Sequence, residues 1–163
     1  MDAVDRILDQ WRQERPDLEV SSMGPLGRLG RVRHHASRRM EETFARHGLN
    51  AAGFDVLATL RRTPPPHALT PGVLMDQMMI TSGTMTNRID QLVKSGLVLR
   101  GPDPSDARRV LIALTPRGFA LIERVLDDHL ATQCAILEAL TPEEVQQLDG
   151  ALRKLLASFE GER

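Results

Sequence analysis

Aromatic residues are scarce in this chain: four Phe, one Trp and no Tyr make up 3% of 163 residues. The core must therefore be aliphatic, drawn from Leu, Val, Ile, Met and Ala. A single cysteine, Cys134, excludes a disulfide within the chain. No apolar run approaches the roughly 18 residues that a membrane span needs. Met1 is followed by Asp2 and Asp5 instead of a basic stretch and an apolar one, so no secretory signal is expected. A reducing cytoplasm fits these absences, and no membrane partner is expected. There is no excess of charge of either sign, the formal net charge being −1. That balance weighs mildly against nucleic-acid binding, because a basic surface supplies most non-specific affinity for DNA.

The average hides a gradient. Arg28, Arg31, Arg33, Arg38, Arg39 and Arg46 cluster in one predicted helix, and Arg100, Arg108, Arg109 and Arg117 in a predicted hairpin region. Acids gather toward the chain's two ends, as at Asp127, Asp128, Glu143 and Glu144. Apolar residues at 41% and charged ones at 26% are ordinary for one globular domain.

Residues 2–14 read as a short helix with Val4, Ile7, Leu8 and Trp11 on one side, stopped by Arg15-Pro16-Asp17. Pro25 to His47 reads as a second helix, with Leu26, Leu29, Val32, Ala36, Met40 and Phe44 at helical spacing. Asn50 caps a third over 51–62, with Phe54, Leu57 and Leu60 inward, and Thr63-Pro64-Pro65-Pro66 breaks it. Three Thr-Pro pairs, at Thr70, Thr115 and Thr141, each offer a hydroxyl cap followed by proline at the first helical position. Glu144 completes a capping box with Thr141. Between Leu97-Val98-Leu99 and Val110-Leu111-Ile112 lies Gly101-Pro102-Asp103-Pro104-Ser105-Asp106, a loop signal between two strands. A very short further strand is expected near 67–69. The fold class is mainly α with a small β-wing.

The stretch Leu69 to Arg117 therefore reads as helix, turn, helix and hairpin. On a wheel of about 100° per residue, Met85, Ile89, Leu92 and Val93 share the apolar arc of the helix that starts near Ser82. Thr84, Asn87 and Gln91 lie opposite, where small and amide side chains can read base edges in a major groove. Asp90 is also on the outer side, and Arg88 sits at the flank of the apolar arc, pointing either to a pocket or to DNA. Arg108 and Arg109, after the loop, are placed to meet phosphate or minor groove. The alternative is a solvated loop in which Asp106 pairs with Arg108.

Those residues resemble the MarR (multiple antibiotic resistance regulator) family of winged helix-turn-helix regulators. The resemblance is carried by Ser82-Gly83-Thr84-Met85-Thr86-Asn87-Arg88-Ile89 and Leu92-Val93-Lys94-Ser95-Gly96-Leu97-Val98. Arg100, Asp103-x-x-Asp106-x-Arg108 and Leu114-Thr115-Pro116-x-Gly118 complete it. It implies a homodimer on double-stranded DNA with a palindromic operator, usually a repressor released by a small ligand or oxidant. The division it implies is an added helix over 1–18, a helical dimerisation region over 19–48 and 116–163, and a DNA-binding region over 49–115. Ser82, Thr84, Thr86, Asn87, Gln91, Arg108 and Arg109 are then the DNA-contact candidates.

Gly48-Leu49-Asn50-Ala51-Ala52-Gly53-Phe54-Asp55-Val56-Leu57 further resembles the urate-responsive branch that includes HucR, PecS and MftR. Trp11 in the first helix fits that branch's added helix. The resemblance implies a ligand set of Trp11, Asp55, Arg88 and Arg100, with urate or a related purine as effector. Such an anion would be stacked by the indole, paired by guanidinium groups and repelled by the carboxylate. Three other readings stand beside this one. An oxidant sensor would use Cys134, although a buried structural thiol is the expected role. A phenol-responsive regulator of the same type is the second. A helical interaction module without DNA is the third, using the stripe from Ile122 through Phe159. No catalytic residue, metal site or cofactor is expected: Asp127-Asp128-His129 and His34-His35 are neighbours on helices and point apart.

Overall fold

The computed structural model describes residues 1–78, 82–104 and 106–161, without the side chains of Ser82 and Ala107. Seven helices and three strands are described: α1 (Ala3–Glu14), α2 (Met23–Arg46), α3 (Ala51–Arg62), β1 (Ala68–Leu69), α4 (Pro71–Met78), α5 (Ser82–Lys94), β2 (Val98–Asp103), β3 (Asp106–Leu114), α6 (Pro116–Leu137) and α7 (Pro142–Glu160). The turn expected between α4 and α5 falls on residues 79–81, outside the described residues. Contacts divide the chain into Met1–Glu42 and Thr43–Arg163.

In the first unit, Asp2 caps α1. Its carboxylate accepts from the Val4 and Asp5 amides at 2.7 and 2.9 Å, and the Asp5 carboxylate accepts from the Asp2 amide at 2.7 Å. Arg28 on α2 donates to Asp2 at 2.8 Å and also to Asp5. These backbone donors, joined by the Arg28 guanidinium, hold the Asp2 pKa down at about 2. Val4, Leu8 and Val20 form the small core. The apolar stripe expected on α1 and α2 is only partly used. Ile7 and Trp11, and then Leu26, Leu29 and Val32, are exposed in the single protomer.

The second unit has a denser core. Phe54, Val56, Leu57 and Leu60 of α3, Leu74 of α4, Met85, Ile89 and Leu92 of α5, Ile112 of β3, and Ile122 and Val125 of α6 are all buried. Val93, expected within this arc, is 39% exposed, because the buried arc follows positions 85, 89 and 92 and leaves 93 at its edge. Phe44 at the end of α2 stacks on Phe54, with centroids 4.3 Å apart, and both rings meet His129 of α6. Arg61 of α3 lies 4.8 Å over the Phe119 ring and donates to Glu123 at 2.6 Å, tying α3 to α6.

The strands form an antiparallel sheet in the order β1-β3-β2. Ala68 pairs with Ala113, and Val98 pairs with Leu114. The ladder shifts between Pro102 and Asp103 at the hairpin tip, where proline cannot donate. Helix starts follow the sequence closely. Thr115 accepts from the Gly118 amide at 2.9 Å, and Thr141 and Glu144 form the expected capping box. Helix α7 buries no residue of its own, and Leu148, Leu152, Leu155, Leu156 and Phe159 stand exposed along it.

Candidate nucleic-acid interface and effector cavity

Helix α5 is held from behind. Met85, Ile89 and Leu92 anchor it in the core, so positions half a turn away must face outward. Thr84, Thr86 and Asn87 are exposed there. The Ser82 side chain lies outside the described residues. Gln91, one turn further on, is exposed as well, and it also lines a cavity together with Arg88.

The hairpin stands beside this helix, and Asp106 organises its tip. The Asp106 carboxylate accepts from the Arg108 amide and Nε, both at 3.1 Å, and faces Arg109 Nε at 3.5 Å. The expected cations are therefore present, and the pairing posed as the alternative to DNA contact is present too. Arg108 keeps 92% of its side chain exposed, so the pair leaves its outer face open.

The base of the hairpin is clamped. The Thr115 hydroxyl donates toward the Gly96 and Leu97 carbonyls, and Arg117 donates to the Ser95 carbonyl at 3.0 Å. Gly118 presses so close that a Cβ there would lie 1.9 Å from the Leu97 carbonyl oxygen. The end of α5, the start of β2 and the start of α6 thus form one rigid joint.

The four residues of the implied ligand set occupy different settings. Asp55 projects from α3 into a cavity of about 250 Å³ lined also by Phe54, Ala58, Thr59, Arg62, Gln77 and Met78. Surrounding protein raises its pKa, and the charges of Arg88, Arg62 and His129 oppose that rise. Arg88 is therefore near enough to be felt by Asp55. Arg100 is engaged elsewhere, donating to Asp90 on α5 at 3.1 Å. Trp11 belongs to the first unit, on α1, with 41% of its surface exposed.

A larger cavity, about 380 Å³, lies between the α2–α3 loop, α5 and the first turns of α6. Arg88, Arg117 and Arg124 line it, with Asn50, Gln91 and Ser95. Arg124 is not singled out by the sequence motifs. The available signal is the spacing of Arg117, Leu121 and Arg124, which puts all three on one helix face. Cys134 also differs from expectation: it is exposed, not buried, because its position on α6 lies off the face that buries Ile122 and Val125. Among the described residues there is no cluster of metal-ligating side chains, and no helix is long and apolar enough to cross a membrane.

A MarR family profile matches residues 47–109, which run from the α2–α3 loop into the first part of β3. The chain is 40% identical over 152 residues to the HTH-type transcriptional regulator PecS of Dickeya dadantii (strain 3937), covering 93% of this chain and 92% of that one. The chain belongs to the MarR family. Another member, the multiple antibiotic resistance protein MarR of Escherichia coli (strain K12), is 33% identical over 136 residues, covering 81% of this chain and 91% of that one. The crystal structure of a cysteine-to-serine mutant of E. coli MarR complexed with operator DNA is similar at a TM-score of 0.72 and 32% identity, over 84% of this chain and 97% of that chain. AbsC of Streptomyces coelicolor, at 20% identity and a TM-score of 0.77 over 88% of this chain and 98% of that chain, shares the fold. The MarR-family fold expected from the hairpin and helix motifs is thus the fold observed.

Proposed function

We propose that this MarR-family protein is a cytoplasmic, DNA-binding transcriptional repressor. It acts as a homodimer on an inverted-repeat operator and is released by a small anionic aromatic ligand such as urate or a related purine. One observation carries the DNA reading: Asn87 and Thr84 are exposed on a helix whose opposite face is locked in the core, beside a ribbon that carries Arg108 and Arg109. The likeness to E. coli MarR complexed with operator DNA supports the same reading. Asn87 can pair bidentately with adenine, while Thr84 and Thr86 reach base edges or phosphate. Gln91 joins them at the groove's margin. The Ser82 backbone opens the helix toward the duplex.

Helix α7 supports the homodimer. An amphipathic helix with no buried residue and a row of exposed Leu and Phe is unstable alone in water. A second copy is the simplest cover for it. Two copies would set their α5 helices about 34 Å apart, one turn of duplex.

The effector reading rests on Asp55 and Arg88. An aromatic monoanion that pairs with Arg88 competes with the Asp55 carboxylate for the same positive charge. Trp11 supplies a ring to stack on, and Arg100 a second guanidinium once it leaves Asp90. Because Arg88 sits on α5, the ligand's hold reaches the helix that meets DNA, and DNA must weaken the ligand by the same factor.

The test is a mobility-shift titration on the DNA upstream of the gene, with and without urate. Wild type should bind and be released. Asn87→Ala should lose about 10-fold or more in preference over random duplex. Asp55→Asn should bind DNA normally and respond weakly to urate. Equal release of Asp55→Asn would remove Asp55 from the mechanism, and failure of wild type to bind would remove the regulator reading.

A further inference from the structure

The 380 Å³ cavity between the α2–α3 loop, α5 and α6 is an arginine-lined recess. Arg88 comes from α5, and Arg117 and Arg124 from α6, about two turns apart on one face. Among the described residues, neither Arg88 nor Arg124 has an ion pair or hydrogen bond, and Arg117 has only the Ser95 carbonyl. No carboxylate among the described residues lines the recess. His47, also in the lining, is already committed to Asp128 at 2.7 Å, and Asp55 reaches Arg88 only through its field. The start of α3, capped by Asn50, adds the positive end of a helix dipole to the same wall.

Three like charges facing one cavity repel each other unless something neutralises them. A guanidinium fork matches the geometry of carboxylate and phosphate. A volume of this size suits a small metabolite and is too small for a peptide segment.

We propose that this recess is a binding site for a small oxyanion carrying two or more negative charges, a dicarboxylate or a phosphate monoester. Arg117 and Arg124 approach the anion from the α6 side of the recess and Arg88 from the α5 side, whether the two charges sit on one phosphoryl group or on two carboxylates. The site shares only Arg88 with the aromatic-effector reading above and needs neither Trp11 nor Arg100. Occupation draws Arg117 toward the anion and away from the Ser95 carbonyl at the end of α5, so the ligand acts on that helix from its C-terminal end. Gln91, in the same wall, supplies an amide for orientation.

The recess can be tested by isothermal titration of the full chain with malonate and inorganic phosphate as dianion probes. Acetate and benzoate serve as monoanion controls. Malonate or phosphate should bind, and the monoanions should bind at least about 10-fold more weakly, the loss expected for one charge-assisted contact. Arg124→Gln and Arg117→Gln should each raise the dianion Kd about 10-fold or more, while Arg38→Gln, on an exposed turn of α2, should not change it. At about ten times its Kd the dianion should lift the melting midpoint by about 3–6 °C.

Absence of dianion binding by wild type overturns the proposal, as does an unchanged Kd in both α6 variants. An equal loss of malonate binding in Trp11→Phe overturns the separateness of this site. A further arm measures duplex DNA: if Arg124→Gln weakens DNA binding and leaves dianion binding intact, the arginines grip backbone phosphate and the proposal falls. If urate fails to release DNA while malonate still binds through Arg124, the aromatic-effector reading fails and this one stands.

Discussion

Gly118 meets the carbonyl oxygen of Leu97 so closely that no side chain fits between them. This contact sets where α6 leaves the hairpin and holds the C-terminal end of α5 against it. Gly118→Ala would push a methyl group into backbone that cannot yield. Overpacking of this kind costs about 1–3 kcal/mol. The melting midpoint should fall by several degrees, and operator affinity should fall with it as the joint opens. An unchanged melt would show that the joint is loose.

At the hairpin tip, Asp106 neutralises part of the charge that Arg108 and Arg109 would present. Exposed pairs contribute about 0–1 kcal/mol to stability, so Asp106→Asn should fold normally. Freed of their partner, the two arginines should raise affinity for random duplex about 3- to 10-fold at low salt and steepen the salt dependence. Fluorescence anisotropy across a salt series measures both. No change in affinity or slope would place the wing away from DNA.

His129 is packed against Phe44 and Phe54, and its buried Nδ1 lacks a hydrogen-bond partner among the described residues. Desolvation lowers its pKa below the usual 6.5, and the Asp55 charge opposes that shift. Because the folded state holds the proton less tightly than the unfolded chain, His129 favours folding above pH 6.5. That contribution is lost as pH falls toward and through the lowered value. Asp55 works in reverse. Its raised pKa favours folding below the usual 3.8, and this support is lost as pH rises through the folded value. Urea midpoints at pH 7.5 and pH 5 should therefore differ in wild type and differ less in His129→Leu. Equal differences in both proteins would remove His129 as the source.

The elements that the sequence announces through local chemistry are the ones found where expected. Thr115-Pro116 and Thr141-Pro142 start helices because a hydroxyl cap followed by proline works within one turn, whatever the surroundings. The hairpin is legible because two aliphatic runs flank a glycine- and proline-rich segment. The loop expected over Gly101–Asp106 is shorter than that: Gly101, Pro102 and Asp103 continue β2 and Asp106 opens β3, because the strand ladder extends past the proline. What depends on neighbours is less legible. Periodicity marks Leu26, Leu29 and Val32 as apolar-face residues, but not whether the cover comes from the same chain; in the single protomer they are exposed. Cys134, expected to be buried from its apolar neighbours Ile136 and Leu137, is likewise exposed. The turn of Arg88 and Gln91 into one cavity with Arg124 is not readable from a single helical wheel, because α6 lies far away in sequence.

The central claim is that two copies of α5 read adjacent major grooves of one duplex. It is tested most directly by anisotropy competition near 0.15 M salt between the upstream inverted repeat and the same repeat with five base pairs inserted between its halves. A turn of duplex holds about 10 base pairs, so the insertion swings one half-site to the opposite face. Binding to the intact repeat should be at least about 100-fold tighter than to the altered one, with a stoichiometry of two chains per duplex. Equal affinity for both, or one chain per duplex, would contradict the account.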